Sequence, residues 1–115
     1  MRFLPRQHLR TPADFSRIRA SGTRRECGFF CVNFLELPGR EPPLRRRGVI
    51  ASRRIGKAVE RNRAKRLLRE VFRNNQEILP ASCDLILIAR PAINRASYGA
   101  LEQKFKFAVQ KLTAR

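Results

Sequence analysis

At 115 residues the chain has room for one modest hydrophobic core and not for two. A hydrophobic fraction of 43% argues against wholesale disorder, and there is no apolar run of the ~18 residues that a membrane-spanning helix needs. The formal charge of +17 sets the main constraint, because self-repulsion of that size destabilises a compact state unless a polyanion neutralises it.

The basic residues are mostly Arg. Arg carries a planar fork that fits phosphate and can stack on bases, so the bias points to structured nucleic acid rather than an anionic membrane. The opening residues, Met1-Arg2-Phe3-Leu4-Pro5-Arg6, lack the apolar stretch of a signal peptide. Cys27, Cys31 and Cys83 lie in or beside strand-like apolar segments, and His8 is the only histidine. That set is poor for zinc and reads as reduced, buried thiols in a cytoplasmic protein.

The whole chain, 1–115, reads as a single RNA-binding domain with a short basic N-terminal arm carrying Arg2, Arg6 and Arg10. Thr11-Pro12-Ala13-Asp14 then supplies a helix start: an N-cap hydroxyl, a proline at the first helical position and an acid placed to reach back. Phe15 and Ile18 form the apolar side of about two turns, and Gly22 ends them. A short edge strand through residues 23–26 precedes a firmer strand over residues 29–35. Period two puts Phe30, Val32 and Phe34 on one apolar face, with Phe29, Cys31, Asn33 and Leu35 on a face only partly covered. The prolines of residues 37–43 make a loop. Arg45 to Arg47 lead into a strand over residues 48–52, expected to pair back as a hairpin. The continuous apolar run of residues 83–89 predicts a strand buried on both faces. Leu101, Phe105, Ala108, Val109 and Leu112 predict a final helix over residues 97–113. The order of elements is that of an α+β sandwich.

Between these strands lies the stretch around which the chain is organised. From Ala64 the apolar residues fall at 64, 67, 68, 71 and 72, an arc roughly 140° wide on a helical wheel. Asn62, Arg63, Lys65, Arg66, Arg69 and Arg73 occupy the remainder. A merely solvated helix face would intersperse acids to relieve repulsion at i, i+3 and i+4. Only Glu60 and Glu70 interrupt the cations between Arg45 and Arg73, so this face is read as a phosphate-contacting one. Arg61 falls inside the apolar arc, where it either reaches ligand from the first turn or pairs internally with an acid. Catalytic groups are missing: the nine acids are scattered, His8 has no evident carboxylate partner, and no Gly-rich phosphate loop follows a strand.

Arg61-Asn62-Arg63-Ala64-Lys65-Arg66-Leu67-Leu68-Arg69 resembles the RNR motif of the bacterial ribonuclease P protein family. The approach from Gly48 to Val59, the segment from Leu9 to Phe15 and the strand from Asp84 to Arg90 extend the resemblance over nearly the whole chain. It implies a two-layer αβββαβα sandwich with a mixed sheet and a left-handed βαβ crossover, against the usual handedness. It also implies a protein subunit that assists a catalytic RNA in removing the 5′ leader of precursor tRNA. The Mg²⁺ would be held mainly by the RNA, with no catalytic or metal-binding residue on this chain. By resemblance Arg53, Arg54, Lys57, Arg61, Asn62, Arg63, Lys65, Arg66, Arg69 and Arg73 meet the catalytic RNA. Phe15, Arg19, Phe29, Cys31 and Asn33 form the cleft for the single-stranded leader, where stacking on aromatic rings tolerates many sequences. Arg19 and Asn33 stand where relatives can carry aromatics, so the cleft is expected to be more polar. The expected partners are the catalytic RNA and precursor tRNA, with no membrane and no obligatory protein partner.

The main competing reading is a small ribosomal-type structural RNA-binding protein. A DNA-binding regulator is disfavoured by the lack of helix-turn-helix spacing or a dimerising segment. An autonomous nuclease is disfavoured by the missing carboxylate pair.

Overall fold

The structure, a computed structural model, describes residues 5–9 and 11–114, so Arg2 and Arg10 of the expected arm lie outside the described residues. The main elements in chain order are α1 (Pro12–Ser21), β1 (Thr23–Glu26), β2 (Phe30–Glu36), β3 (Arg45–Ile50), α2 (Ala58–Asn74), β4 (Cys83–Ala89) and α3 (Tyr98–Thr113). Short 3-10 turns occupy Pro5–Gln7, Arg53–Ile55, Gln76–Ile78 and Pro91–Arg95. This is the expected α+β order, with a four-stranded mixed sheet.

The sheet runs β1-β2-β4-β3. Strands β1 and β2 are antiparallel, as are β2 and β4, whereas β3 lies parallel to β4. The hairpin expected between β2 and β3 therefore does not form, because β4 inserts between them. The reason is burial: every residue from Cys83 to Leu87 is 0% exposed, which requires a strand on each side and cover on both faces. An Arg-rich β3 suits the edge far better.

Register fixes the two faces. Phe30, Val32 and Phe34 join Leu85 and Leu87 in the larger core, against Leu68, Val71 and Phe72 of α2 and Leu101 and Phe105 of α3. Each such side chain, fully buried, contributes about 1.5–3 kcal/mol. The opposite face carries Leu35, Ile50, Ile86 and Ile88, over which Leu9, Phe15 and Ile18 pack. Phe29 belongs to neither pattern as expected. It precedes β2 beside Gly28, whose φ is +86°, and packs against the larger core rather than beside Cys31 and Asn33.

Helix α1 starts as its sequence requires. The Thr11 hydroxyl accepts from the Asp14 N–H at 3.2 Å, and the Gly22 N–H donates to the Ile18 carbonyl at 2.8 Å to close the helix. It spans 10 residues, nearer three turns than two. Residues 5–9 are not a detached arm. Leu9 is buried, its N–H donates to the Arg47 carbonyl at 3.0 Å, and Gln7 Nε2 donates to the Arg45 carbonyl and to Gln76 Oε1. The segment lines the outer edge of β3, where an unpaired strand would otherwise present bare backbone groups.

Candidate nucleic-acid interface

The entry to α2 is built by a tight turn. Ser52 caps the Arg53–Ile55 turn by accepting from the Arg54 N–H at 3.3 Å. Gly56 follows at φ +140°, and the Glu60 carboxylate accepts from the Lys57 N–H at 2.9 Å. That φ favours glycine, and a Cβ there would also push on the Glu60 carboxylate at 2.5 Å and disturb its cap. An acid in the first turn and Arg73 in the last also suit the helix dipole. Ala64, Leu67, Leu68, Val71 and Phe72 are buried, the stripe expected from periodicity.

What remains is a continuous cationic surface. Arg53, Arg54, Lys57, Asn62, Arg66, Arg69 and Arg73 are exposed, while Arg61, Arg63 and Lys65 are half-buried. No cation of this set makes an ion pair with an acid of the described residues. Arg61 has no internal acid partner there, so the second of its two readings lacks a counterpart in the structure. Arg63 differs from its neighbours. Its guanidinium donates to the Ile93 carbonyl at 3.2 Å and the Ala96 carbonyl at 3.0 Å, holding the 91–96 turn against α2. Asn94 Nδ2 reinforces this by donating to the Ile55 carbonyl at 2.6 Å.

The three arginines that open β3 part company because the pleat alternates. Arg45 donates to the Pro80 and Leu79 carbonyls, closing the connection after α2. Arg46 turns to the outer face. Arg47, 5% exposed, turns inward to a pocket of about 280 Å³ that it lines with Arg66, Arg69, Glu70 and Arg73. Burial and the nearby Arg69 charge pull its pKa down to about 10. Sequence reading treated Arg45 to Arg47 as a lead-in and missed this residue. The available signal was its two-residue spacing from Val49.

Asp84 was missed as well. It is fully buried on the outer face, where Arg46 grips it with Nε and Nη2 at 2.9 and 2.7 Å. Arg40 reaches it from the 37–44 loop at 2.9 Å and Arg17 from α1 at 3.1 Å. Burial pushes its pKa up, but the hydrogen bonds from Arg46 and Arg40 outweigh that and leave it below the ordinary 3.8. Asp14 shares Arg17 and Arg46 at 3.3 and 3.5 Å. Glu26 pairs with Arg90 at 3.0 Å at the far end of the sheet. The ion-paired acids thus lie away from the α2 surface, where only Glu60 and Glu70 interrupt the cations.

The residues expected to form a cleft between α1 and the sheet differ in exposure. Phe15 is half-buried, and its ring lies on Gly48: a Cβ there would stand 2.7 Å from two ring carbons. Arg19 is exposed. Cys31 and Asn33, at 0% and 4% exposed, are buried in β2, and Phe29 packs against the larger core instead. The thiols carry no disulfide, and burial raises Cys83 to about 12 and Cys27 to about 11, which leaves them as thiols. No group of three or more His, Cys, Asp or Glu among the described residues could hold a metal ion, and no helix there is long and apolar enough to cross a membrane.

The profile of the ribonuclease P family matches residues 3–113. The ribonuclease P protein component of Syntrophobacter fumaroxidans is 38% identical over 97 residues, spanning 84% of this chain and 79% of the relative. That of Desulfovibrio desulfuricans is 41% identical over 96 residues, spanning 82% and 72%. Among solved structures, the Staphylococcus aureus RNase P protein superposes with a TM-score of 0.80 at 25% identity, covering 93% of this chain and 95% of that one. The Thermotoga maritima protein gives 0.78 at 27%, covering 93% and 98%.

Proposed function

The chain belongs to the ribonuclease P protein family, as a subunit of the ribonuclease P endoribonuclease holoenzyme, and on that premise we propose how its surfaces divide the work. The α2 surface, with Arg53, Arg54, Lys57, Arg61, Asn62, Arg63, Lys65, Arg66, Arg69 and Arg73, docks on phosphates of the catalytic RNA. The rim of the α1 cleft, with Phe15 and Arg19 above Cys31 and Asn33, receives the single-stranded 5′ leader of precursor tRNA. Phe29 takes no part in that cleft.

The observation that carries this reading is the segregation of charge. The cations of α2 and its entry turn have no acidic partner among the described residues, while Asp84 and Asp14 engage arginines on the other face. Such a surface is costly for an isolated chain and favourable against phosphate. Mg²⁺ supplies phosphodiester hydrolysis with its metal chemistry. The donor set of this chain does not fit that ion, since no carboxylate cluster occurs among the described residues and the interface is cationic. The metal is therefore assigned to the RNA. This chain neutralises phosphate repulsion where RNA strands converge and holds the leader, in the cytoplasm where tRNA precursors are made.

Mixing the purified chain with bacterial ribonuclease P RNA and precursor tRNA at low Mg²⁺ tests this. We expect faster cleavage and a lower Mg²⁺ requirement; no effect on either would refute the assignment. In the same assay Phe15→Ala should weaken binding of substrate carrying a leader about ten-fold, on the scale of one lost stacking contact. Equal losses for substrates with and without a leader would remove the cleft from the proposal.

A further inference from the structure

Arg47 sits where the fold would most cheaply place an apolar side chain. It points inward from β3, with Leu85 as its neighbour on β4 and Val49 two residues on, yet it is an arginine and lines the pocket beside α2. Arg66, Arg69 and Arg73 reach that pocket at i, i+3 and i+7 along one stripe of the helix. One carboxylate, Glu70, lines it with them. Even with Glu70 fully engaged, four guanidinium groups leave a surplus of positive charge around about 280 Å³.

We propose that this pocket is a seat for a single phosphate group of the RNA, with Arg47 as its anchor. The proposal rests on the reading that the α2 surface meets RNA, and sharpens it to one dehydrated contact among many exposed ones. The volume lies just under the usual range for small-molecule sites, about 300–1,000 Å³, which suits a phosphate with its bound water better than a whole nucleotide. Four arginines around one pocket, one of them only 5% exposed, offer more donor forks than a tetrahedral oxyanion needs. Burial and the Arg69 charge pull the Arg47 pKa down, and an anion held in the pocket would oppose both. Exposed lysines on the same surface would bind phosphate as mobile, hydrated point charges. This pocket adds one buried fork, that of Arg47, between a strand and a helix.

The seat predicts a direct response to phosphate and a shallower salt dependence of RNA binding on its removal, which a merely structural arginine would not give. In chloride buffer Arg47→Met, which removes the charge and keeps the stem, should retain a single cooperative thermal melt. Against ribonuclease P RNA the same variant should bind about ten-fold more weakly. Its log–log salt slope should be shallower by about 0.7–0.9, one phosphate's worth. In nitrogen-15 spectra of the parent chain, the Arg47 Nε–H signal, identified by its loss in Arg47→Met, should shift on titration with inorganic phosphate at constant ionic strength. Arg73→Gln, a change at an exposed position, should reduce that response and guards against a folding defect in the first variant.

An Arg47 signal indifferent to phosphate overturns the seat, whatever the RNA measurements give. A responsive signal with unchanged RNA affinity in Arg47→Met also overturns it, because the pocket would then take free phosphate and not the RNA backbone. Should Arg54→Ala and Arg61→Ala, outside the pocket, leave RNA binding intact, the broader reading of the α2 surface fails instead.

Discussion

Replacing Asp84 by Asn would leave Arg17, Arg40 and Arg46 converging on a site that no longer carries a negative charge. The residue is fully buried and Arg40 and Arg46 are mostly covered, so water cannot repair the loss. Breaking a buried pair in this way typically costs about 3–5 kcal/mol, and Asp84→Asn is expected to lower the urea midpoint at pH 7 accordingly. The pH dependence follows from the lowered pKa. A carboxylate with a depressed folded pKa contributes fully above its ordinary value of 3.8, and that contribution fades as pH falls through the folded value. The parent chain should therefore lose stability in that acidic window more steeply than Asp84→Asn. Parallel acid limbs for the two proteins would show that the network stabilises nothing.

At the scale of elements, α2 serves two surfaces through neighbouring residues. Arg63 ties the 91–96 turn to the helix through two carbonyls, whereas Arg66 faces outward. Arg63→Ala should lower both stability, by about 1–3 kcal/mol, and affinity for the RNA. Arg66→Ala should lower affinity alone. Thermal melts and RNA titrations of the pair separate the two, and an unchanged melting point in Arg63→Ala would make its carbonyl contacts dispensable. Much of this helix was legible in sequence, because the apolar stripe of Ala64, Leu67, Leu68, Val71 and Phe72 repeats at helical spacing within one short segment. Strand β4 was legible because Cys83 to Ala89 is apolar apart from Asp84. The pairing of β3 was not. Its partner lies more than thirty residues downstream, and local pattern carries no record of which strand intervenes. Phe29 was misplaced for a related reason: alternation continues past a strand's end in the sequence, whereas Gly28 turns the backbone there. Arg47 and Asp84 escaped notice because each looks like an ordinary charged residue until the pleat shows which face it enters.

For the whole molecule, charge distribution matters more than net charge. Ion pairs gather on the outer face and at one sheet edge, leaving α2 and its entry turn as the side that attracts phosphate. If about six to eight phosphates are neutralised, RNA affinity should fall with a log–log salt slope of about −4 to −7. Filter binding between 50 and 400 mM salt, roughly the range in which such slopes are linear, measures it. A slope near −1 would mean that most of these cations never reach the backbone.

The central place of β4 has a consequence for how the protein comes into being. Chain growth delivers β3 and then α2 before the strand that both must rest on. Until Ala89 has left the ribosome, β3 lacks the one sheet partner it has among the described residues, and Leu67, Leu68, Val71 and Phe72 have only part of their floor. Closing that long-range pairing carries a loop entropy that earlier segments cannot offset. The cationic helix is therefore made early but held in shape late. Ribosome-bound chains arrested with residues up to 82 exposed should be cut within α2 by protease, and chains exposed past Ala89 should resist. RNA-binding competence would then arrive in one late step of synthesis, as the last strand slides between two that have been waiting for it.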